Sequence, residues 1–299
     1  MPYRAKHLVE YAFLRGFVFF VCLLPLHGAL AFGWLMALLA VVPSRKKLRE
    51  AARRMREVFG ADVPDKQIRR WVWISWRNLF FSYIETARAP KLNRNAVTRR
   101  IDTGEIEKLH ALHRQFGGYI LAVCHMGNWD LAGFSARILD LPLFVLVRGQ
   151  SNPLVTKYLE RLRDHFGFGW VDRHRALGSI IKKIRGGEIF TILPDVRAKT
   201  MDSAIKVPFL GGTAYLMAGT GLFARLTERP VVTAIVTREG WSRHRWEIQE
   251  PIFPNLDRDR EEDIARITNE VMARFDESVR RYPEQYFWYN KRWVLDPSS

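Results

Sequence analysis

The sequence predicts an α/β fold: a central, mostly parallel sheet flanked by helices, behind an N-terminal apolar membrane-anchoring helical segment. Three observations carry this. Short apolar runs of buried-strand type alternate with stretches of helical period. Residues 16–44 contain no Asp, Glu, Lys or Arg. No Pro-, Gly- or Ser-rich linker divides the rest of the chain. At 299 residues, 48% hydrophobic and 26% charged, the chain can bury its own core, and disordered or low-complexity classes are excluded.

The uncharged run exceeds the ~20 apolar residues that cross a bilayer core. Pro25, His27 and Gly28 interrupt it, so a re-entrant or interfacial hairpin, a buried helix pair and a cleaved signal peptide stand as alternatives. Arg45, Lys46, Lys47, Arg49, Arg53, Arg54 and Arg56 follow at once, and basic residues beyond an apolar segment mark the cytoplasmic side and attract anionic headgroups. The chain therefore divides into an anchor over 1–44 and a body over 45–299, expected at the cell inner membrane with the body on its cytoplasmic side.

In the body, 65–90 is helical in period. Residues 118–124, 143–147, 189–193 and 231–236 read as buried strands, separated by helices over 153–167, 175–185 and 213–227. An edge strand is expected over 244–249 and an amphipathic helix over 258–281.

Net charge is +16, from 47 Lys and Arg against 31 Asp and Glu. That balance favours an anionic partner. With 13% aromatics and the uncharged segment, an anionic membrane fits, and no RRM or KH signature supports nucleic acid. Two cysteines exclude a disulfide framework.

The chemistry is expected where the first strand ends, at His125-Met126-Gly127-Asn128-Trp129-Asp130. Open α/β sheets bind ligands at the carboxyl ends of their strands. Gly127 permits a tight turn and Asn128 can cap the next helix. Across such a corner Asp130 can fold back onto the imidazole, fixing its tautomer and leaving the other nitrogen as a general base. Amides at the start of that helix are candidate oxyanion donors. Asp195 and Arg197 fit a polar wall at the same sheet edge.

The His-x4-Asp box is the signature of glycerolipid-type acyltransferases, and the surrounding text resembles the late (lauroyl/myristoyl) acyltransferase family of lipid A biosynthesis. The resemblance runs through Arg148-Gly149-Gln150-Ser151-Asn152-Pro153, Ile192-Leu193-Pro194-Asp195 and Val207-Pro208-Phe209-Leu210-Gly211-Gly212 to the aromatic tail at 282–293. It implies acyl transfer from an acyl carrier protein thioester to a hydroxyl of a lipid-linked sugar, a lipid A precursor. His125 is then the base, assisted by Asp130, with Asn128, Arg148, Asn152, Asp195 and Arg197 in substrate binding and no metal or other cofactor. The box acid is often Glu in lipid A enzymes; Asp is typical of the related phosphatidylinositol-mannoside acyltransferases, and Val196-Arg197 replace the Gln that members commonly carry after Asp195.

Overall fold

The computed structural model describes residues 3–102, 104–147, 149–172, 176–198 and 204–295. It is the expected α/β architecture. Strands β1 (Ile120–Val123), β2 (Leu143–Val147), β3 (Gly169–Asp172), β4 (Ile189–Ile192), β7 (Val231–Glu239) and β8 (Arg243–Ile248) form one sheet in the order β3-β2-β4-β1-β7-β8. All neighbours are parallel except β7 and β8. The chain leaves β1 toward β2 on one side and later returns through β7 on the other. This is the reversal at which doubly wound sheets open a ligand crevice.

Successive β1 side chains go to opposite layers, as strand geometry requires. Ile120 and Ala122 join the core formed with α9 (Ala176–Arg185), α10 (Gly219–Thr227) and α11 (Arg260–Arg281). Leu121 and Val123 join α6 (Gly104–Phe116), α7 (Trp129–Ile138) and Trp246 of β8. Helix α11 begins where Asp259 accepts bonds from the amides of Glu261 and Glu262.

Three expectations are corrected. The stretch 213–227 is not one helix. Residues Ala204–Phe209 (β5) and Gly212–Met217 (β6) form an antiparallel hairpin, and only α10 is helical. Pairing with β5 commits 212–217 to extended backbone, after a reversal at Leu210 and Gly211 at φ 51° and 81°. A short strand, β3, occupies the sheet edge where none was expected.

The third correction concerns the anchor. Pro25, at extended ψ 155°, splits the apolar run into α1 (Ala5–Leu23) and α2 (Leu26–Leu39). Among the described residues no helix is long and apolar enough to cross a membrane. Nor is the pair detached from the body. Helix α2 lays Ala29, Leu30, Gly33 and Ala37 on α4 (Asp65–Ala87), and the Trp76 indole donates to the Ala37 carbonyl at 2.9 Å. A Cβ at Gly33 would stand 2.8 Å from Ile84 Cγ1, so glycine permits that approach.

The basic run that follows forms α3 (Arg45–Phe59) and serves two ends. Arg45, Lys46, Lys47 and Arg49 are exposed. Arg54 is buried, donating to the carbonyls of Trp288 and Asn290 at 2.7 and 2.9 Å and stacking on Trp293. The aromatic tail is therefore core: Tyr286, Trp288 and Trp293 are all buried.

Candidate active site

His125 stands one residue past Cys124 at the carboxyl end of β1, in a turn that two neighbours hold. The amide of Gly127 donates to the Gln285 carbonyl and the amide of Phe287 to the His125 carbonyl, both at 2.9 Å, so the aromatic tail pairs with the turn like a short strand. Gly127 has φ 59°, and a Cβ there would lie 2.2 Å from the Val236 carbonyl oxygen. Only glycine lets the turn lie against β7.

The carboxylate bonded to the imidazole is Asp195. His125 Nδ1 lies 2.7 Å from Asp195 Oδ1, while the His125 amide donates to Oδ2 at 3.0 Å and the Cys124 thiol reaches Oδ2 at 3.5 Å. Asp195 is buried, yet its pKa lies below the ordinary carboxylate value: burial pushes it up, and the charge and hydrogen bonds of His125 outweigh that. Since an ionised carboxylate only accepts, Nδ1 carries the proton and Nε2 keeps its lone pair.

Asp130, expected as the partner, makes no hydrogen bond to His125 among the described residues. The reason is the topology. Asp195 ends up beside His125 because β4 and β1 are adjacent parallel strands, whereas Asp130 lies in the first turn of α7 and faces the crevice. Its surroundings raise its pKa through desolvation, opposed by Arg163 and then by His125. It acts on the imidazole through space. Burial pushes the His125 pKa down, the Asp195 charge and hydrogen bond push it up, Asp130 adds a lesser push, and the net direction is up.

The other predicted residues are dispersed. Asn128 caps α7 as expected, its Oδ1 accepting from the Leu131 amide at 3.1 Å. Its Nδ2 donates at 2.9 Å to Glu85, a fully buried carboxylate of α4. The Asn128 side chain is thus engaged on both atoms, and it lines a second cavity rather than the one that contains His125. Asn152 is likewise occupied: it caps α8 (Pro153–His165) and donates to the His7 carbonyl and to Glu10, tying α1 to α8. Arg197 pairs through its backbone with Leu216 of β6, and Val196, not Arg197, lines the crevice. Arg148 lies outside the described residues.

His125 opens on a cavity of about 620 Å³ between α7 and the sheet. Its walls include Val123, Val145, Leu193 and Phe134, and among the described residues its charged or titratable groups are His125, Asp130 and Arg163. Trp129 packs edge-on against the imidazole, ring centroids 4.9 Å apart. Arg163 was not singled out by sequence. Its signal is an arginine in the apolar stripe of α8, beside Leu159 and Leu162.

Glu85 was also missed. Its carboxylate takes Asn128, Arg238 Nη2 at 2.6 Å, His244 Nε2 at 3.0 Å and Arg100. Burial would raise its pKa, but the charges of Arg238 and His244 hold it far below the ordinary value. The detectable signal is a carboxylate on the buried face of α4, in register with Asn78 and Phe81.

Among the described residues no group of His, Cys, Asp and Glu could hold a metal ion. What remains is a base with a buried carboxylate behind it and an apolar cavity before it, which suits proton removal beside a hydrocarbon chain.

Comparison with known proteins agrees with that chemistry. The family model described as bacterial lipid A biosynthesis acyltransferase matches residues 3–294. The chain is 24% identical over 255 residues to the phosphatidylinositol mannoside acyltransferase of Mycolicibacterium smegmatis, covering 80% of this chain and 76% of the relative. It is 25% identical over 241 residues to the protein of the same name from Mycobacterium tuberculosis, covering 75% and 68%.

Proposed function

Because the chain belongs to the bacterial lipid A biosynthesis acyltransferase family and is an acyltransferase, we propose that it moves a fatty acyl chain from an acyl carrier protein thioester to a sugar hydroxyl of a lipid A precursor, with His125 as general base. One observation carries the assignment of the base: the Asp195-bonded imidazole faces an apolar cavity. His125 Nε2 takes the hydroxyl proton as the oxygen attacks the thioester carbonyl carbon. The tetrahedral intermediate collapses with loss of the thiolate, which recovers the proton from the imidazolium. Asp195 stabilises that imidazolium and holds the tautomer; Asp130 lends further negative charge. First-turn amides of α7 not taken by the Asn128 cap are free to face the oxyanion. The large cavity receives the donor's acyl chain.

The relatives' names support a second acceptor, a phosphatidylinositol mannoside, and Asp130 in the first box agrees with it. Both acceptors are membrane lipids. The exposed apolar side chains of α1 and α2, among them Phe13, Phe19, Trp34 and Leu39, beside the exposed cations of α3, support seating at the cytoplasmic face of an anionic inner membrane, with α1 and α2 lying in the interface.

The test pairs each donor with each acceptor. Purified protein is assayed with acyl carrier protein and coenzyme A thioesters, on a lipid A precursor and on a phosphatidylinositol mannoside. Transfer to the lipid A precursor from the carrier protein, falling as salt rises through the screening range, is expected. Transfer to the mannoside alone selects the second acceptor, and equal, salt-independent use of coenzyme A removes the carrier protein.

A further inference from the structure

We propose that a second cavity, between α1, α4 and α8, holds an alkyl chain of the acceptor lipid, so that Trp129 divides the two hydrocarbon chains that meet at His125. This rests on the glycolipid acyltransferase function above and adds where the acceptor's own chain goes.

The cavity has about 370 Å³ and is walled by Leu14 and Phe17 of α1, Leu79 and Phe80 of α4, and Leu159 and Leu162 of α8. Asp130 is its one charged wall residue among those described. Asp130 and Trp129 also line the cavity that contains His125, so the two spaces share a wall next to the base. A transfer between two lipids must bring two chains to one base, and the second space has mostly apolar walls that suit a chain, with Ser82, Tyr83, Thr86, Asn128, Asp130 and Tyr158 as its few polar groups.

The direction of approach decides which substrate enters which space. Helix α1 is apolar on both sides: Leu14, Phe17 and Val18 face the cavity, while Phe13 and Phe19 are 78% and 67% exposed. An apolar helix exposed on one side and lining a cavity on the other fits a boundary between bilayer and site. The acceptor resides in the bilayer and reaches the space beside α1; the donor's carrier arrives from water. Asn152, through His7 and Glu10, pins α1 to α8 and so keeps this wall in place.

Two measurements test it. First, a glycolipid acceptor with a diazirine in its alkyl chain is photolysed on the full-length protein in detergent, and cross-linked peptides are mapped by mass spectrometry. Adducts within 14–18 and 158–162 are expected; adducts within 143–147 or 190–193, or none in either cavity, overturn the proposal. Second, Leu159→Trp fills the space from a half-buried position without lining the larger cavity. It should raise KM for the acylated acceptor at least tenfold, while KM for the donor and turnover on the deacylated sugar stay within twofold. A rise in donor KM instead assigns the space to the donor and overturns the proposal, as does no change at all. Cross-links at the expected helices without turnover on any sugar would retain the site and reject the function.

Discussion

Two buried carboxylates flank the turn 124–128, and they differ in what water can reach. Asp195 and Glu85 are both almost wholly inaccessible, both ringed by donors and both held below the usual carboxylate pKa. Asp195's imidazole partner is 22% exposed and lines a cavity. Glu85's partners Arg238 and His244 are 1% exposed, its Asn128 partner is buried, and its most open partner, Arg100 at 15%, is a cation that takes no proton. A strongly perturbed carboxylate therefore does not by itself mark a reaction centre. Access does: one cluster can receive a proton from a ligand, and the other can only hold α4, β7, β8 and α7 together.

The largest effects are expected at Asp195 and its imidazole partner. His125→Ala should lower acyl transfer by about 10²–10⁴-fold, the usual contribution of a positioned base, and Asp195→Asn should cost at least tenfold, with native circular dichroism in both. The pH profile gives the sign. Activity needs neutral His125, so it falls as pH drops through the raised imidazole pKa. Asp195→Asn removes the stronger raising influence and should move that acid limb to lower pH; Asp130→Asn should move it the same way by less. A dominant Asp130→Asn effect, with Asp195→Asn near normal, would restore the pairing expected from sequence.

At Glu85 the loss should be in stability. Glu85→Ala leaves Arg238 and the His244 ring buried, and Arg100 half-buried, without this acceptor, and breaking such a cluster costs about 3–5 kcal/mol. Urea midpoints measure it, and residual turnover should track the folded fraction. Acid should act on the same cluster. Glu85's folded pKa is depressed, so its contribution is present above the unfolded carboxylate value and lost as pH falls below it. His244 is pushed down by burial, against Glu85's opposite pull; its contribution is present above the unfolded imidazole value and lost as pH falls. Stability should thus decline below about pH 6.5 and again through the carboxylate range. In Glu85→Gln the second decline should shrink.

The contrast also explains what was legible in the sequence. Strands β1, β2, β4 and β7 are apolar runs that any order of pairing would bury, so local pattern suffices for them. The hairpin 204–217 was hidden because Ala214, Leu216 and Met217 suit helix and strand alike, and the deciding information is the pairing with β5 after the reversal at Leu210 and Gly211. His125 was readable because its turn chemistry is adjacent in sequence. Its partner was not, because Asp195 is 70 residues away and reaches it only through the pairing of β1 with β4. Asp130 had the sequence proximity, but the first turn of α7 carries it into the crevice. Glu85 lacked any local signature beyond its place on a buried face.

The smallest effect sharpens the link between the two clusters. Asn128 joins them: its Oδ1 caps α7, whose first turn faces the base, and its Nδ2 ends on Glu85. Asn128→Ser keeps a side-chain oxygen able to cap but is too short to reach Glu85. It should cost about 1–3 kcal/mol, the price of one bond to a charged group. Asn128→Ala loses the cap as well and should cost about 1 kcal/mol more. If α7's first turn is held chiefly by its cap, Asn128→Ser should keep kcat within a few-fold and Asn128→Ala should not. Equal kcat losses in the two variants would mean that Glu85, through this single amide, sets the geometry at His125, and the sealed cluster would then belong to the reaction after all.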